Sequence, residues 1–297
     1  MENQRINFDD QISRNKWKTI FLMFTIFLVI VLLGYVISFA FEPGYFFVIM
    51  IFATIFSLLY LWISYYNSDK IAIASVGAKE VHHEGDYKQY YDLVEGLTIA
   101  SGLPMPKLYV MKSASINAFA SGRDPHHAVV CVTEGALEKL DKKELEGVLA
   151  HELGHVASFD IRYMTLVAVM VGMISIISQI FLRSLWLGGM GNNDRKNNGN
   201  AIFIFIGIIL AILAPIVVYF VQLAISRKRE FSADASAVKF TRYPPGLIGA
   251  LKKIKQENMP EKKINKAVAQ LFFANPFKDL GSTHPDIDKR IQVLEKM

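Results

Sequence analysis

The chain has 297 residues, a formal net charge of +5 and a mean hydropathy of +0.29, and 52% of its residues are hydrophobic. This hydropathy is high for a water-soluble protein, and the single cysteine, Cys131, excludes an intramolecular disulfide and fits a reducing compartment. The basic residues cluster beside apolar runs and form no stripe interleaved with aromatic residues, which argues against nucleic-acid binding.

Four runs of the sequence contain no charged residue: Thr19 to Phe41, Pro43 to Ser68, Tyr163 to Leu182 and Asn197 to Ser226. Each run reaches the ~20 residues that a helix needs to cross ~30 Å of hydrocarbon. The runs therefore predict four transmembrane helices, and the alternative is that some are buried helices of a large soluble core. The first run is too long, and the second follows it too closely, for a cleavable signal peptide.

The runs divide the chain into five predicted parts. These are an N-terminal tail at 1–18, a transmembrane hairpin at 19–68, a soluble block at 69–160, a second transmembrane hairpin at 161–226 and a second soluble block at 227–297. The tail and the residues after the fourth run are rich in lysine and arginine, whereas the turn at 42–44 has neither. Because basic loops stay on the cytoplasmic side, we expect both termini and the 69–160 block to face the cytoplasm.

The first soluble block predicts a small sheet and two helices. The segment from Tyr87 to Ala100 has helical apolar spacing and ends at a Ser-Gly-Leu-Pro sequence. The predicted strands are Lys107 to Met111, Ile116 to Ser121 and Ala128 to Thr133. An irregular loop is the alternative for the middle strand. A second helix is predicted to start at Asp141, with Glu144 completing a variant of the capping box.

This second helix leads into the sequence His-Glu-Leu-Gly-His at 151–155. His151 and His155 project from one helix face, where both imidazoles can bind one metal ion. Glu152 points into the same cleft as the candidate general base. The five charges in the segment 141–146 exclude a position deep in the bilayer, so we expect the motif in water near the lipid headgroups.

A catalytic zinc ion has three protein ligands, so a third ligand is needed. The two later membrane runs return the chain to the side of His151, and Glu230 follows four residues after Ser226. Glu230 is therefore the predicted third ligand, and Asp234, one helical turn later, is predicted to accept the free N–H of a ligand histidine. The alternative for Glu230 is a salt bridge with the basic cluster at 227–229.

Several motifs occur together in this chain: Ile-Asn-Ala-Phe-Ala at 116–120, His-Glu-Leu-Gly-His at 151–155, the Glu-x-x-x-Asp pair at 230 and 234, and Ser-Thr-His-Pro at 282–285. With four membrane runs, the chain resembles the HtpX-type membrane zinc proteases, bacterial relatives of the eukaryotic prenyl-protein (CAAX) proteases. The resemblance covers essentially the whole chain. The prenyl-protease branch is a poorer match, because its members generally have more membrane spans and longer chains.

The resemblance implies an α-helical membrane protein with a mostly α, gluzincin-like (α+β) zinc metalloprotease domain and one Zn²⁺ per chain. It further implies a multi-pass protein of the cell (inner) membrane that cleaves misfolded or damaged membrane proteins during quality control and the stress response. The expected partners are unfolded membrane proteins and the lipid bilayer, with no nucleic acid.

Three further residues take expected roles from the resemblance. Asn117 and Ala118 belong to a strand that, in similar proteases, lines the cleft and holds an extended substrate. His284 matches a family histidine expected to donate to the oxyanion, and its alternative is a turn histidine before Pro285. Separately, Arg290 lies on a C-terminal stretch with helical apolar spacing and is a candidate for a buried ion pair.

These residues predict a zinc-dependent endopeptidase in which Glu152 takes a proton from the attacking water and passes it to the leaving nitrogen. The alternative is a non-catalytic membrane adaptor with a structural metal site. Glu152 argues against that alternative, because a structural site needs no base. A transporter is a third possibility, but the four apolar runs contain no charged residue and few polar ones to line an ion path.

Overall fold

The structure, a computed structural model, describes residues 8–38, 46–168, 227–257, 273 and 286–297. Helices α1 (Phe8–Ser38) and α2 (Phe46–Tyr66) pack against each other as a hairpin. Residues 8–18, assigned above to a tail, are the first turns of α1. In the described part of the chain, α2 is the one helix whose length and composition suit a membrane span.

The outer faces of this hairpin are apolar. Trp17 of α1 is 70% exposed and Phe47 of α2 is 75% exposed, and many other large apolar side chains share these faces. Continuous exposed apolar surface of this kind marks contact with a membrane or another protein. Of the third predicted span, only 163–168 is described, and it is helical; the fourth lies outside the described residues.

A four-stranded sheet follows the short helix α3 (Ser68–Val76). Its strands are β1 (Lys79–Val81), β2 (Lys107–Met111), β3 (Ala118–Gly122) and β4 (Ala128–Thr133). The spatial order is β1-β2-β4-β3, in which β2 and β4 are parallel and the other pairs are antiparallel. The predictions of β2 and β4 are confirmed, whereas β1 was not predicted because three residues carry no clear alternation.

The middle strand, β3, starts two residues later than predicted. The backbone N–H of Asn117 donates to the Thr133 hydroxyl at 3.0 Å, and the carbonyl of Asn117 accepts from the Thr133 N–H at 3.1 Å. A side chain thus takes over the pairing at this end, and the regular ladder begins at Ala118. The predicted alternative, an irregular loop, is therefore wrong for 118–122.

Helix α4 (Lys88–Ser101) confirms the predicted first helix and ends at Gly102, whose φ of 72° closes it with a left-handed residue. The short helix α5 (Glu134–Lys139) was not predicted. Helix α6 (Lys142–Ala157) starts, as predicted, with a capping box formed by Asp141 and Glu144. Lys253 donates to the Glu144 carboxylate at 2.6 Å, so this cap also ties α6 to a later helix.

Helix α6 lies at the centre of the core. Two later helices, α7 (Arg227–Thr241) and α8 (Pro244–Glu257), pack against it, and β3 and α4 contact it as well. A Cβ on Gly147 would lie 2.6 Å from the Leu247 backbone nitrogen, so glycine permits the close approach of α8. The last described helix, α9 (Ile287–Leu294), packs on α7 and α8. These contacts bring the two predicted soluble blocks together around α6.

Candidate metal centre

The centre is built on the buried face of α6. His151 and His155 are 1% and 5% exposed, and their ring centroids lie 4.8 Å apart. Glu230, in the first turn of α7, is 3% exposed and faces both rings. Its Oε2 lies 3.6 Å from His151 Nε2 and its Oε1 lies 3.5 Å from His155 Nε2. The structure therefore brings together the three predicted ligands.

This donor set fits a metal ion. One ligand atom from each of the three residues lies within 4.8 Å of the other two. Tetrahedral ligands at ordinary zinc distances stand about 3.3 Å apart, close to the nitrogen–oxygen separations seen here. Two imidazoles and one carboxylate also match the three-ligand pattern of catalytic zinc sites, which leaves one position open.

A glycine in the motif helps to place Glu230. A Cβ on Gly154 would lie 3.0 Å from the Cβ of Ser236 and 3.1 Å from the Cα of Ala233, both on α7. The absence of that Cβ lets α7 approach α6 closely enough for Glu230 to reach the two histidines. The glycine between the histidines thus has a packing role that spacing alone does not reveal.

His151 is held from behind by Asp234, as predicted for that carboxylate. Asp234 Oδ1 lies 2.8 Å from His151 Nδ1, which turns the Nε2 of His151 towards Glu230. Arg290 donates to both oxygens of Asp234, from Nε at 2.9 Å and from Nη2 at 2.6 Å. Burial acts to raise the pKa of Asp234, but the Arg290 charge and the contact with His151 outweigh it and lower that pKa.

Arg290 is itself 1% exposed, so the expected buried pair is present. Its Nη1 also lies 3.6 Å from Glu230 Oε2. Burial acts to lower the pKa of Arg290, yet the charge of Asp234 and the hydrogen bond to it raise the pKa above its usual value. The guanidinium therefore stays charged and fixes the carboxylates on the α7 side of the centre.

His155 is held by Asp160, for which the sequence suggested only an anchor at the end of the motif helix or, alternatively, an exposed charge. Asp160 Oδ2 lies 3.2 Å from His155 Nδ1 and accepts from the Ser158 hydroxyl at 2.7 Å. Burial acts to lower the pKa of His155. The hydrogen bond to Asp160 and the charge of Glu230 outweigh burial and raise this pKa to about 9. The only sequence signal was an acidic residue just beyond the motif.

Glu152 lies between the metal ligands and the sheet. It is 2% exposed, and its Oε2 accepts a hydrogen bond from the Ala120 N–H of β3 at 2.8 Å. Burial raises the pKa of Glu152, and the charge of Glu230 adds to that, while the two histidines and the Ala120 N–H act in the opposite direction. A carboxylate with a raised pKa beside a metal site suits proton transfer.

Backbone groups on the outer edge of β3, next to Glu152, already have hydrogen-bond partners. Ala118 O accepts from the Phe273 N–H at 2.8 Å, and the Ala118 N–H donates to the side chain of Asn117 at 3.1 Å. The Phe273 ring stands edge-on to His151 at 4.8 Å and lies 4.7 Å from the Arg290 guanidinium. Phe273 was not predicted, and His284 lies outside the described residues.

Known proteins are similar to this chain in sequence. Peptidase family M48 matches residues 86–297. A protease HtpX homolog of Caldanaerobacter subterraneus subsp. tengcongensis is 44% identical over 270 residues, covering 86% of this chain and 90% of the relative. A protease HtpX homolog of Thermoanaerobacter pseudethanolicus is 41% identical over 291 residues, covering 96% of each.

A solved structure, the crystal structure of S. mikatae Ste24p, has a similar fold. Its TM-score is 0.50 at 18% identity, and the alignment covers 96% of this chain and 66% of that one. The family match spans more than half of the chain and includes both parts of the centre described above. The chain therefore belongs to peptidase family M48, as an HtpX-type metallopeptidase.

Proposed function

We propose that this chain is a membrane-bound zinc endopeptidase that cleaves misfolded or damaged membrane proteins. Its active site faces the cytoplasm from the cell (inner) membrane. One observation carries the catalytic part of the proposal: His151, His155 and Glu230 converge on a single point beside Glu152, at the edge of a sheet. The adaptor alternative finds no support in this arrangement, because a structural metal site has no use for Glu152.

His151, His155 and Glu230 would hold one Zn²⁺ per chain. The Nδ1 atom of each histidine faces a carboxylate, Asp234 or Asp160, which favours the tautomer that leaves Nε2 to bind metal. Partners of this kind also make the imidazole a stronger ligand. The placement of Glu230 towards the two Nε2 atoms supports its role as a ligand over a surface salt bridge with the basic cluster at 227–229.

A zinc ion held by His151, His155 and Glu230 would supply Lewis-acid chemistry for water and for the substrate carbonyl. Glu152 accepts the proton of the attacking water and later delivers it to the leaving nitrogen. The Ala120 N–H holds one carboxylate oxygen of Glu152, so the other is directed to this task. His284 would donate to the oxyanion, as in the family pattern.

Substrate would bind as an added strand along the outer edge of β3, next to Asn117 and Ala118. Strand addition recognises main chain rather than sequence, which suits a protease that acts on unfolded segments. Because Ala118 O already accepts from the Phe273 N–H, pairing at this residue replaces that hydrogen bond. In the described structure this position on the outer edge of β3 is therefore already paired at Ala118.

The membrane part of the proposal rests on the apolar runs and on the exposed apolar faces of α1 and α2. Hairpins at 19–68 and 161–226 would form four transmembrane helices in the lipid bilayer. They would support the two halves of the catalytic domain, 69–160 and 227–297, on one side. A fluorescent protein that matures only in the cytoplasm, fused to the C-terminus, tests this orientation; a dark but full-length fusion would overturn it.

The decisive experiment compares the detergent-purified wild type with Glu152→Gln, both loaded with zinc. The substrates are one membrane protein in its folded form and the same protein after unfolding. We expect the wild type alone to cleave, and to cleave the unfolded form faster. Cleavage by Glu152→Gln at the wild-type rate would refute the proposed base, and equal cleavage of both forms would refute the quality-control role.

A further inference from the structure

A path of hydrogen bonds connects the first helix of the chain to the metal centre. Asn15 of α1 is 3% exposed, although it lies one turn before a membrane-type run. Its Nδ2 donates to Asp160 Oδ1 at 2.7 Å and to the Ser158 carbonyl at 3.0 Å. Asp160 in turn lies 3.2 Å, through Oδ2, from His155 Nδ1. One amide therefore bridges α1, the end of α6 and the carboxylate behind a metal ligand.

The geometry of Asp160 explains what this amide does. The Ser158 hydroxyl and His155 both occupy Oδ2, while Asn15 occupies Oδ1. Bonds to both oxygens prevent rotation of the carboxylate, so Oδ2 stays in line with His155 Nδ1. Arg229 is also near, with its Nε 3.7 Å from Oδ1. Asn15 differs from Arg229 because it reaches the centre from the membrane hairpin.

Helix packing alone does not account for Asn15. The buried stripe of α1 continues with Leu22, Ile26 and Ile30, which are apolar and fill space against neighbours. Thr19, also buried, donates its hydroxyl to the Asn15 carbonyl within the same helix. Asn15 instead sends its amide out of the helix to a carboxylate. An apolar residue could fill the same space, so packing gives no reason for an amide here. A buried amide with two hydrogen-bond partners instead fixes the orientation of the groups that it contacts.

We propose that Asn15 is a positioning residue of the metal centre: through Asp160 it fixes the ring of His155 and strengthens metal binding. The inference rests on the proposed ligands His151, His155 and Glu230. It makes the first helix of the hairpin part of the active centre as well as an anchor.

The test uses the full chain in detergent, in metal-free and zinc-loaded forms. Asn15→Ala removes the amide, and Asn15→Leu removes it while keeping the number and branching of the side-chain heavy atoms. Thr19→Val is the matched control, because Thr19 is buried on the same helix face and its hydroxyl bonds within its own helix. Zinc affinity is measured by competition with a chromophoric chelator. The visible spectrum of the cobalt-substituted protein reports ligand geometry, and the unfolding temperature of the metal-free protein reports fold.

Loss of a direct partner of a metal ligand costs about 10–100-fold in affinity, so one bond further out we expect about 3–10-fold weaker zinc binding in both Asn15 variants. The cobalt spectrum should shift in those variants and stay unchanged in Thr19→Val. In an Asp160→Ala background, which removes both oxygens, Asn15→Ala should change affinity by less than about twofold, because the path is already broken.

Wild-type affinity and spectrum in either folded Asn15 variant would overturn the inference and leave the proposed function intact. Losses of the same size with and without Asp160→Ala would also overturn it, because the effect of Asn15 would then not pass through Asp160. A wild-type chain that binds no zinc would overturn the proposed metal site, and this inference with it. If Asn15→Ala does not fold, Asn15→Leu, which keeps the branching of the side chain, decides between these outcomes.

Discussion

The guanidinium of Arg290 and the carboxylate of Asp234 form a bidentate ion pair beside the Nδ1 atom of His151. The two bonds measure 2.9 Å and 2.6 Å, and both side chains are almost completely buried. The pair joins α9, near the end of the chain, to α7, and α7 also carries Glu230. The last described helix therefore helps to orient His151, a proposed metal ligand, although it contributes no proposed ligand itself.

Substitutions in this ion pair should change the stability of the fold and the affinity for zinc independently of each other. Asp234→Ala leaves the Arg290 charge buried without its main partner, which typically costs about 3–5 kcal/mol. The double variant Asp234→Leu/Arg290→Met replaces both charges with apolar groups and should recover most of the stability. Zinc affinity should stay about 10–100-fold weaker in both, because His151 has lost its carboxylate. Chemical unfolding and chelator competition measure the two effects.

The control for that experiment is Lys255→Ala. Lys255 of α8 contacts Asp288 of α9 at 2.6 Å, but both side chains are about half exposed. We expect a loss of less than about 1 kcal/mol and unchanged zinc affinity. A double variant as unstable as Asp234→Ala, or one with wild-type zinc affinity, would contradict the assigned role of the pair.

Substitutions of the two glutamates at the centre should give opposite results. Glu152→Gln keeps an oxygen for the Ala120 N–H, so the protein should fold and hold one zinc ion while turnover falls about 10²–10⁴-fold. Glu230→Ala removes the proposed third ligand, so the bound zinc itself should be lost. Metal content by mass spectrometry and peptide turnover are measured on the same samples. Full zinc occupancy in a Glu230→Ala protein would show that the third ligand is a different residue.

Two glycine-to-alanine changes should have opposite effects on stability. In Gly147→Ala the new Cβ meets the Leu247 backbone at 2.6 Å, so α6 and α8 must move apart, at a cost of about 1–3 kcal/mol. A Cβ added to Gly96, on α4, would have no neighbouring atom within 4 Å. There alanine should stabilise the helix by about 0.5–1 kcal/mol. Denaturant titration measures both, and a neutral Gly147→Ala would refute close packing at this crossing.

Cys131 should be unreactive in the folded protein. The thiol is fully buried in β4, and burial raises its pKa well above the usual value. While the pH is below the pKa of an exposed thiol, each rise of one pH unit makes its alkylation about ten times faster, because the thiolate is the nucleophile. Native Cys131 should instead show almost no alkylation at pH 7, 8 or 9, because the buried thiol is out of reach of the reagent. Labelling should begin only as denaturant unfolds the sheet, and rapid native labelling at pH 8 would contradict the described burial.

Short-range sequence patterns predicted many of the helices and strands between residues 69 and 160. The capping box at Asp141, helix α4 and strands β2 and β4 follow from short-range patterns, and the structure has them where expected. Strand β1 and helix α5 were missed because three to six residues show too little periodicity. The four membrane spans remain a prediction, because residues 169–226 lie outside the described part of the chain.

The sequence by itself determined that His151 and His155 share a helix face and that Glu152 lies beside them, because a helix places residues four apart on one side. It also pointed to Glu230, because two further apolar runs, interpreted as membrane spans, would return the chain to the same side. Only the tertiary structure decided that Asp160 holds His155 and that Asn15 holds Asp160. It also decided that Arg290 and Phe273 lie against His151. These partners lie on different helices or beyond the helix end, and the approach of packed helices depends on the whole core rather than on any local period.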